Sequence, residues 1–286
     1  MNSQELQEYY RAACQLELRA LKPGNVGYHA GGHGMQVEQF ERSAEASAPA
    51  LFEADINVGE RILHAVKSTR EQVGDNTNLG IILLVAPIAQ ALINSASKQR
   101  LQDSLEDVLQ NLTVEDAVNC YQAINIAEPG GMGEVADQDL SQTPSVTLLQ
   151  AMKLAAEHDQ IAQEYVTNYQ NTFRYNLDLY VDYTNRWGHP EWAATAVFLS
   201  QLLRQPDSLI IRKKGLLKAQ EISDMIAPLA NQVLAASDPS RFKNELLSLD
   251  GQLKTAGINP GTTADITVAT LFVAKLDEVR EGEQSE

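Results

Sequence analysis

Apolar residues recur at steps of three and four along almost the whole 286-residue chain, and that spacing admits little besides packed helices. Leu6, Tyr9, Tyr10, Ala13, Leu16 and Ala20 fall on one face, as a helical turn of about 3.6 residues requires. Phe40, Ala44, Ser47 and Leu51 repeat the pattern, and Ile56, Ile62, Leu63 and Val66 carry it on. Thr113 with Asp116 reads as a capping box that opens a helix bearing Ala117, Tyr121 and Ile124. Thr143-Pro144 is expected to start another, with Val146, Leu149, Met152 and Leu154 inward. Long helices are predicted over residues 159–185, 192–203 and 213–236. Strands would show alternating β-branched runs between turn signals, and the one candidate, residues 209–211, is too short. No repeat or Pro/Ser-rich linker divides the chain. The expectation is an all-α protein, a single multi-helix domain over residues 1–286 with glycine-rich loops forming its site.

Hydrophobic residues make up 44% and aromatics 6%, so such a core would be filled by Leu, Ile, Val and Ala. The most apolar stretch, residues 81–93, contains Pro87. It is shorter than the roughly 20 residues of a membrane span, so it reads as a core helix. Residues 1–11 lack the apolar centre of a signal peptide, and residues 277–286 read as a fraying acidic end. Cys14 and Cys120 show no ligand spacing, so buried, reduced thiols and a cytoplasmic setting are expected. Twenty-two Lys and Arg against 38 Asp and Glu give a formal charge of −16. That balance repels nucleic-acid backbones and anionic membranes. Small phosphorylated ligands would need a local basic or amide-lined pocket.

Three breaks in the helical pattern differ from ordinary connectors. Residues 22–35 carry five glycines together with Lys22, His29 and His33. The missing Cβ atoms let backbone N–H groups approach a ligand, although a long glycine loop between helices has the same composition. Gly74-Asp75-Asn76-Thr77-Asn78-Leu79-Gly80 precedes the apolar 81–93 helix. It is a capped turn at the least, and the helix start behind it is a ready anion site. Glu128-Pro129-Gly130-Gly131-Met132-Gly133-Glu134-Val135 follows a helix rather than a strand, so it is not a dinucleotide loop. Near the end, Asn259-Pro260-Gly261-Thr262-Thr263-Ala264-Asp265 opens another helix with a carboxylate in its first turn. His64, His158 and His189 stand alone, and neither a zinc-peptidase nor an α/β-hydrolase motif occurs. Arg212-Lys213-Lys214 is a short basic run, either a solvated face or a nucleotide contact.

In this order the elements resemble the triphosphoribosyl-dephospho-CoA synthase family. The resemblance rests on Lys22-Pro23-Gly24 with Gly32-His33-Gly34-Met35, Phe40 with Ser43-Ala44, Asn76-Thr77 with Gly80, Asp207 with Gly215, and Asn259-Pro260-Gly261 with Ala264-Asp265. The chain departs from the family pattern at three places. Asn78-Leu79 stands where the family has His-Lys, Asn25-Val26-Gly27 lacks the expected Asp, and Ile211-Arg212-Lys213-Lys214-Gly215 replaces His-Arg-Gly-Gly. A divergent branch is implied, of the kind found with tetrahydromethanopterin-linked one-carbon metabolism.

The family reaction joins ATP, through C1 of its ribose, to the 2′-hydroxyl of dephospho-CoA and expels adenine. The resemblance implies ATP as substrate and Mg²⁺ on its triphosphate. Lys22, Asn25 and the amides around Gly24 and Gly80 would bind phosphates, with Arg212 and Lys213 as further contacts. Asp75 and Asp265 would hold Mg²⁺ or face the developing oxocarbenium charge, His33 would carry the proton, and Asn76, Thr77 and Asn78 would orient substrate. Two alternatives stand beside this. One is a biosynthetic enzyme for a one-carbon carrier of tetrahydromethanopterin or methylofuran type, and the other is a non-catalytic helical ligand-binding protein.

Overall fold

The structure is a computed structural model and describes residues 1–94, 99–128 and 144–284. Among these the chain is helical throughout, with only the isolated bridges Gly27–Ala30 and Gly32–Met35. The described residues group into two compact units. Met1–Arg11 joins Gln39–Gln170, and Ala12–Glu38 joins Asn171–Glu286. The even composition of the chain conceals this grouping.

In order, the first helices are α1 (Ser3–Arg19), α2 (Val37–Leu51), α3 (Val58–Val73), α4 (Leu79–Asn94), α5 (Leu101–Gln110), α6 (Val114–Ala127), α7 (Leu148–Ala155) and α8 (Gln160–Val166). Helix α4 is the centre of the first unit, with residues 81–89 and Ala91 buried. No described helix is long and apolar enough to cross a membrane. Pro87 inside α4 has no N–H for the carbonyl of Leu83; the Tyr165 hydroxyl donates to it instead at 2.6 Å. Tyr169 donates to the next carbonyl, Leu84, at 2.9 Å. Helices α3 and α6 approach closely because Gly59 has no side chain, and a Cβ there would lie 2.5 Å from Asp116 Cα. The capping box of Thr113 and Asp116 forms as expected, and the second Asp116 oxygen accepts from Gly59 N at 2.7 Å. Both cysteines are buried and neither forms a disulfide among the described residues, and burial pushes Cys120 up to about 12.

The second unit continues with a π-helical turn (Asn171–Asn176), α9 (Leu177–Trp187), α10 (Pro190–Arg204), α11 (Ser208–Lys214), α12 (Leu216–Ala235), a 3-10 turn (Pro239–Phe242), α13 (Lys243–Thr255) and α14 (Gly261–Gln284). Phe198, Leu202, Ile222, Ile226 and Leu253 are among its core residues. Three helix boundaries differ from the sequence expectation. The helix predicted over 159–185 breaks at Asn168 and Tyr169, both left-handed, and re-enters through the π turn. The one predicted over 213–236 is interrupted by Gly215 at φ +88°. Helix α7 begins later than Pro144, on a Thr147–Gln150 capping box, and Leu154 is exposed rather than inward.

Asp207 ties two helix starts together. One carboxylate oxygen accepts from the amides of Leu209 and Ile210, and the other from the amide and hydroxyl of Thr263, at 2.7–3.1 Å. Burial raises its pKa, and these hydrogen bonds oppose the rise. Asp207→Ala uncaps α11 and α14 at once and is expected to cost about 2 kcal/mol, one ordinary cap each. Urea unfolding measures this. Asp207→Asn keeps one acceptor and loses less.

Candidate functional site

The long glycine segment is anchored by a buried ion pair. Glu17 lies on the inward face of α1, and its carboxylate accepts from the Lys22 ammonium. Lys22 also donates to Asn25 Oδ1 at 2.9 Å and to the Val26 carbonyl at 2.8 Å. An ammonium has three N–H donors, and all of them are met within the fold. Burial pushes the Lys22 pKa down; Glu17 opposes this, Lys254 adds to it, and Asp265 opposes it. Burial likewise pushes Glu17 up, against the attraction of Lys22.

Gly24 follows at φ +87°, with its Cα against the turn that leads into α14. A Cβ would lie 3.0 Å from both the Ile258 carbonyl and Pro260 Cδ. Its amide donates to Asp250 Oδ1 at 2.8 Å, so that amide is engaged. The other Asp250 oxygen accepts from Lys254 at 2.8 Å, and Lys254 also donates to the Ala30 carbonyl at 2.9 Å. Asn25 reaches the same turn by donating to Asn259 Oδ1 at 2.8 Å.

His33, half-buried and left-handed at φ 57°, lies 2.7 Å through Nε2 from the Gly24 carbonyl. A carbonyl only accepts, so Nε2 carries the proton and Nδ1 is left as the ring's basic position. Asp265 sits half-buried just past the first turn of α14, which holds no acidic residue, contrary to the sequence expectation, and is near enough for its charge to act on Lys22. The second unit therefore brings together the Lys-Pro-Gly, Gly-His-Gly and Asn-Pro-Gly segments. Asp207 joins to them the start of α11, which carries Arg212 and Lys213 at its exposed C-terminal end.

The first unit holds the segment before α4. Thr77 and Asn78 are buried against α2. The Thr77 hydroxyl bonds that of Ser43, and Asn78 Nδ2 donates to the Ser43 carbonyl at 3.2 Å and to Ser47 Oγ at 3.1 Å. Asn76 caps the helix by accepting from Leu79 N at 3.3 Å. The amides of Gly80 and Ile81 have no hydrogen-bond partner among the described residues. Two unmet amides at the start of a 16-residue helix are an anion-binding feature. Asp75 is exposed, and one of its oxygens accepts from Gln39 at 2.8 Å.

No three His, Cys, Asp or Glu side chains gather as a metal site among the described residues. Mg²⁺ does not need such a cluster, since one or two carboxylates and substrate phosphates hold it. Asp75, exposed with its second oxygen unengaged, is a carboxylate of the right kind.

Sequence reading did not single out Glu17, Asp250 and Lys254. Glu17 carries a detectable signal, because it continues the inward series Leu6, Tyr10, Ala13 and so places a charge where an apolar residue belongs. The glycine run over residues 129–135 lies outside the described residues.

The sequence profile of the CitG family, described as ATP:dephospho-CoA triphosphoribosyl transferase, matches residues 3–284. No curated protein matches the chain significantly. The chain is also similar to a crystal structure from Archaeoglobus fulgidus that bears the provisional name triphosphoribosyl-dephospho-CoA synthase. That similarity has a TM-score of 0.62 and 24% identity, covering 81% of this chain and 96% of the other. At that identity it shows a shared fold.

Proposed function

Because the chain belongs to the ATP:dephospho-CoA triphosphoribosyl transferase family, we propose that it transfers the 5-triphosphoribosyl group of ATP to the 2′-hydroxyl of dephospho-CoA. The bond from ribose C1 to adenine N9 breaks, and a bond from C1 to the acceptor oxygen forms. The hydroxyl proton leaves with the base, giving 2′-(5-triphosphoribosyl)-3′-dephospho-CoA and adenine. The observation that carries this reading is the family match from residue 3 to residue 284.

Cleavage at C1 builds positive charge on the ribose, which a carboxylate stabilises. Asp265 is assigned that role. His33 takes the hydroxyl proton at Nδ1, because Nε2 is held by the Gly24 carbonyl, and gives a proton up as adenine departs. In the first unit the Gly80 amide is assigned to phosphate and Asn76 to substrate orientation; in the second unit, taken by itself, Arg212 and Lys213 are assigned to phosphate. Lys22, Asn25 and the Gly24 amide, engaged within the fold, are positioning groups that fix the His33 segment. Thr77 and Asn78 fix the start of α4 in the same way. Mg²⁺, when bound, neutralises triphosphate charge, and Asp75 or Asp265 would hold it.

One observation favours a second reading. Asn78 is buried in bonds to α2, so position 78 presents no proton carrier, and the acceptor would be another phosphorylated compound. A precursor of a tetrahydromethanopterin- or methylofuran-type carrier is such a compound.

The test is adenine release from ATP, Mg²⁺ and dephospho-CoA, read by chromatography. Adenine that appears only with dephospho-CoA is the expected result. A melting temperature raised by ATP without adenine release supports the second reading. Neither response overturns both.

A further inference from the structure

The glycine segment of the second unit is built as two successive tight turns. Gly27 and Ala30 exchange amide-to-carbonyl bonds at 3.3 and 3.1 Å, and Gly32 and Met35 do the same at 3.1 and 2.9 Å. The second turn carries His33 directly after its opening glycine, and the first carries Tyr28 at the same place. The end of α1 pins the first turn twice. The Tyr28 amide donates to the Leu18 carbonyl at 2.9 Å, and His29 Nε2 donates to the Arg19 carbonyl at 3.1 Å. Lys254 then joins the turns to each other. Its ammonium donates to the Ala30 carbonyl at 2.9 Å, and its methylenes cover Gly32, where a Cβ would lie 2.8 Å from Cε. Tyr28 and His33 are therefore held at a fixed offset, which so short a chain keeps under roughly 18 Å. None of these bonds uses the tyrosine ring, and Tyr28 is 48% exposed. Among the described residues one other aromatic is exposed, Tyr175, and the Arg204 guanidinium lies over its ring at 5.1 Å.

We propose that Tyr28 is the stacking platform for an adenine ring of the substrates, which makes it a specificity-determining residue for the proposed reaction. A purine presents a flat π face, and an aromatic side chain on a backbone already fixed meets that face with little freedom left to lose. Both substrates of the assigned transfer carry adenine on the ribose that reacts. In ATP it is the leaving base, and in dephospho-CoA it sits next to the 2′-hydroxyl. His33 is assigned to the proton at both riboses, so a platform at a fixed offset from it suits either ring. Stacking reads the face of the base and leaves phosphates to other groups, so its effect is confined to ligands that bear a base. The platform rests on the proposed function only for the identity of its occupant.

The probes are ATP, dephospho-CoA and ribose 5-triphosphate, each titrated calorimetrically into the full chain, with the KM of both nucleotides read from adenine release. Tyr28→Ala is expected to weaken one nucleotide about tenfold, the size of one base stacked on one aromatic ring, and to raise its KM equally. The nucleotide affected names the ring: ATP the leaving base, dephospho-CoA the acceptor's own. Tyr28→Phe and Tyr28→Trp should bind like the parent, because the ring and not the hydroxyl makes the contact. Ribose 5-triphosphate, which has no base, should bind the parent and Tyr28→Ala alike. Equal nucleotide affinities in the parent and Tyr28→Ala overturn the proposal, as does a loss in Tyr28→Phe as large as that in Tyr28→Ala. A matching loss for ribose 5-triphosphate also overturns it, since the substitution would then act through the loop. Nucleotides that do not bind the parent overturn platform and reaction together. Tyr28-dependent nucleotide binding without adenine release keeps the platform and removes the assigned reaction. Adenine release with unchanged KM values in Tyr28→Ala does the reverse.

Discussion

Asp265→Ala is expected to lower adenine release by about 10³-fold while the chain stays helical. The magnitude is that of losing one preorganised electrostatic group, roughly 2.7–4 kcal/mol of transition-state stabilisation. Asp265 is half-buried just past the first turn of α14, behind the start that Asp207 and Thr263 form. The division between kcat and KM identifies the role. A fall confined to kcat marks charge that matters only as the glycosidic bond breaks. A rise in KM that added Mg²⁺ reverses marks a metal-holding carboxylate instead. Unchanged turnover removes Asp265 from the site.

Lys22→Met is expected to destabilise the protein by about 3–5 kcal/mol, the cost of leaving a buried charge without its partner. Glu17 has Lys22 as its ion-pair partner, and the methionine cannot replace it. The double variant Glu17→Met, Lys22→Met should recover most of the loss, since two apolar chains leave no stranded charge. The pH dependence has a definite sign. Burial already raises Glu17 above its ordinary 4.5, and Lys22 is what lowers it. Without the lysine the folded carboxyl rises further. A raised folded pKa contributes most below the ordinary value and loses that contribution as pH climbs through the folded one. The single variant should therefore be closest to the parent near pH 4 and fall furthest behind at pH 7 and above. Chemical denaturation across that range tests it, and a deficit that does not change with pH would mean Glu17 is not the stranded group.

Helical class was legible because α1, α2, α3 and α10 each show the 3.6-residue period plainly, and the Thr113 capping box was readable to the residue. The break at Asn168 and Tyr169 was not, since neither position holds the Gly or Pro that usually marks one. Gly215 was visible but lay inside a basic and apolar run, where one glycine does not by itself stop a helix. At the candidate site, composition located the segments that meet: Gly24 and Asn25 against Asn259 and Pro260, and Thr77 against Ser43. It could not tell which polar atoms the fold consumes. Lys22 looks available as a phosphate cation until its three bonds are traced.

The carbonyl that Pro87 leaves to Tyr165 makes α4 dependent on a residue far along the chain. Its heredity is shared: restoring an N–H at position 87 makes the tyrosine hydroxyl redundant, whereas losing that hydroxyl first strands a buried acceptor. Descendants of this sequence can trade the pair safely in one order only. An engineer who transplants residues 79–94 into another helical scaffold inherits the same debt, and must bring a donor for Leu83 with them.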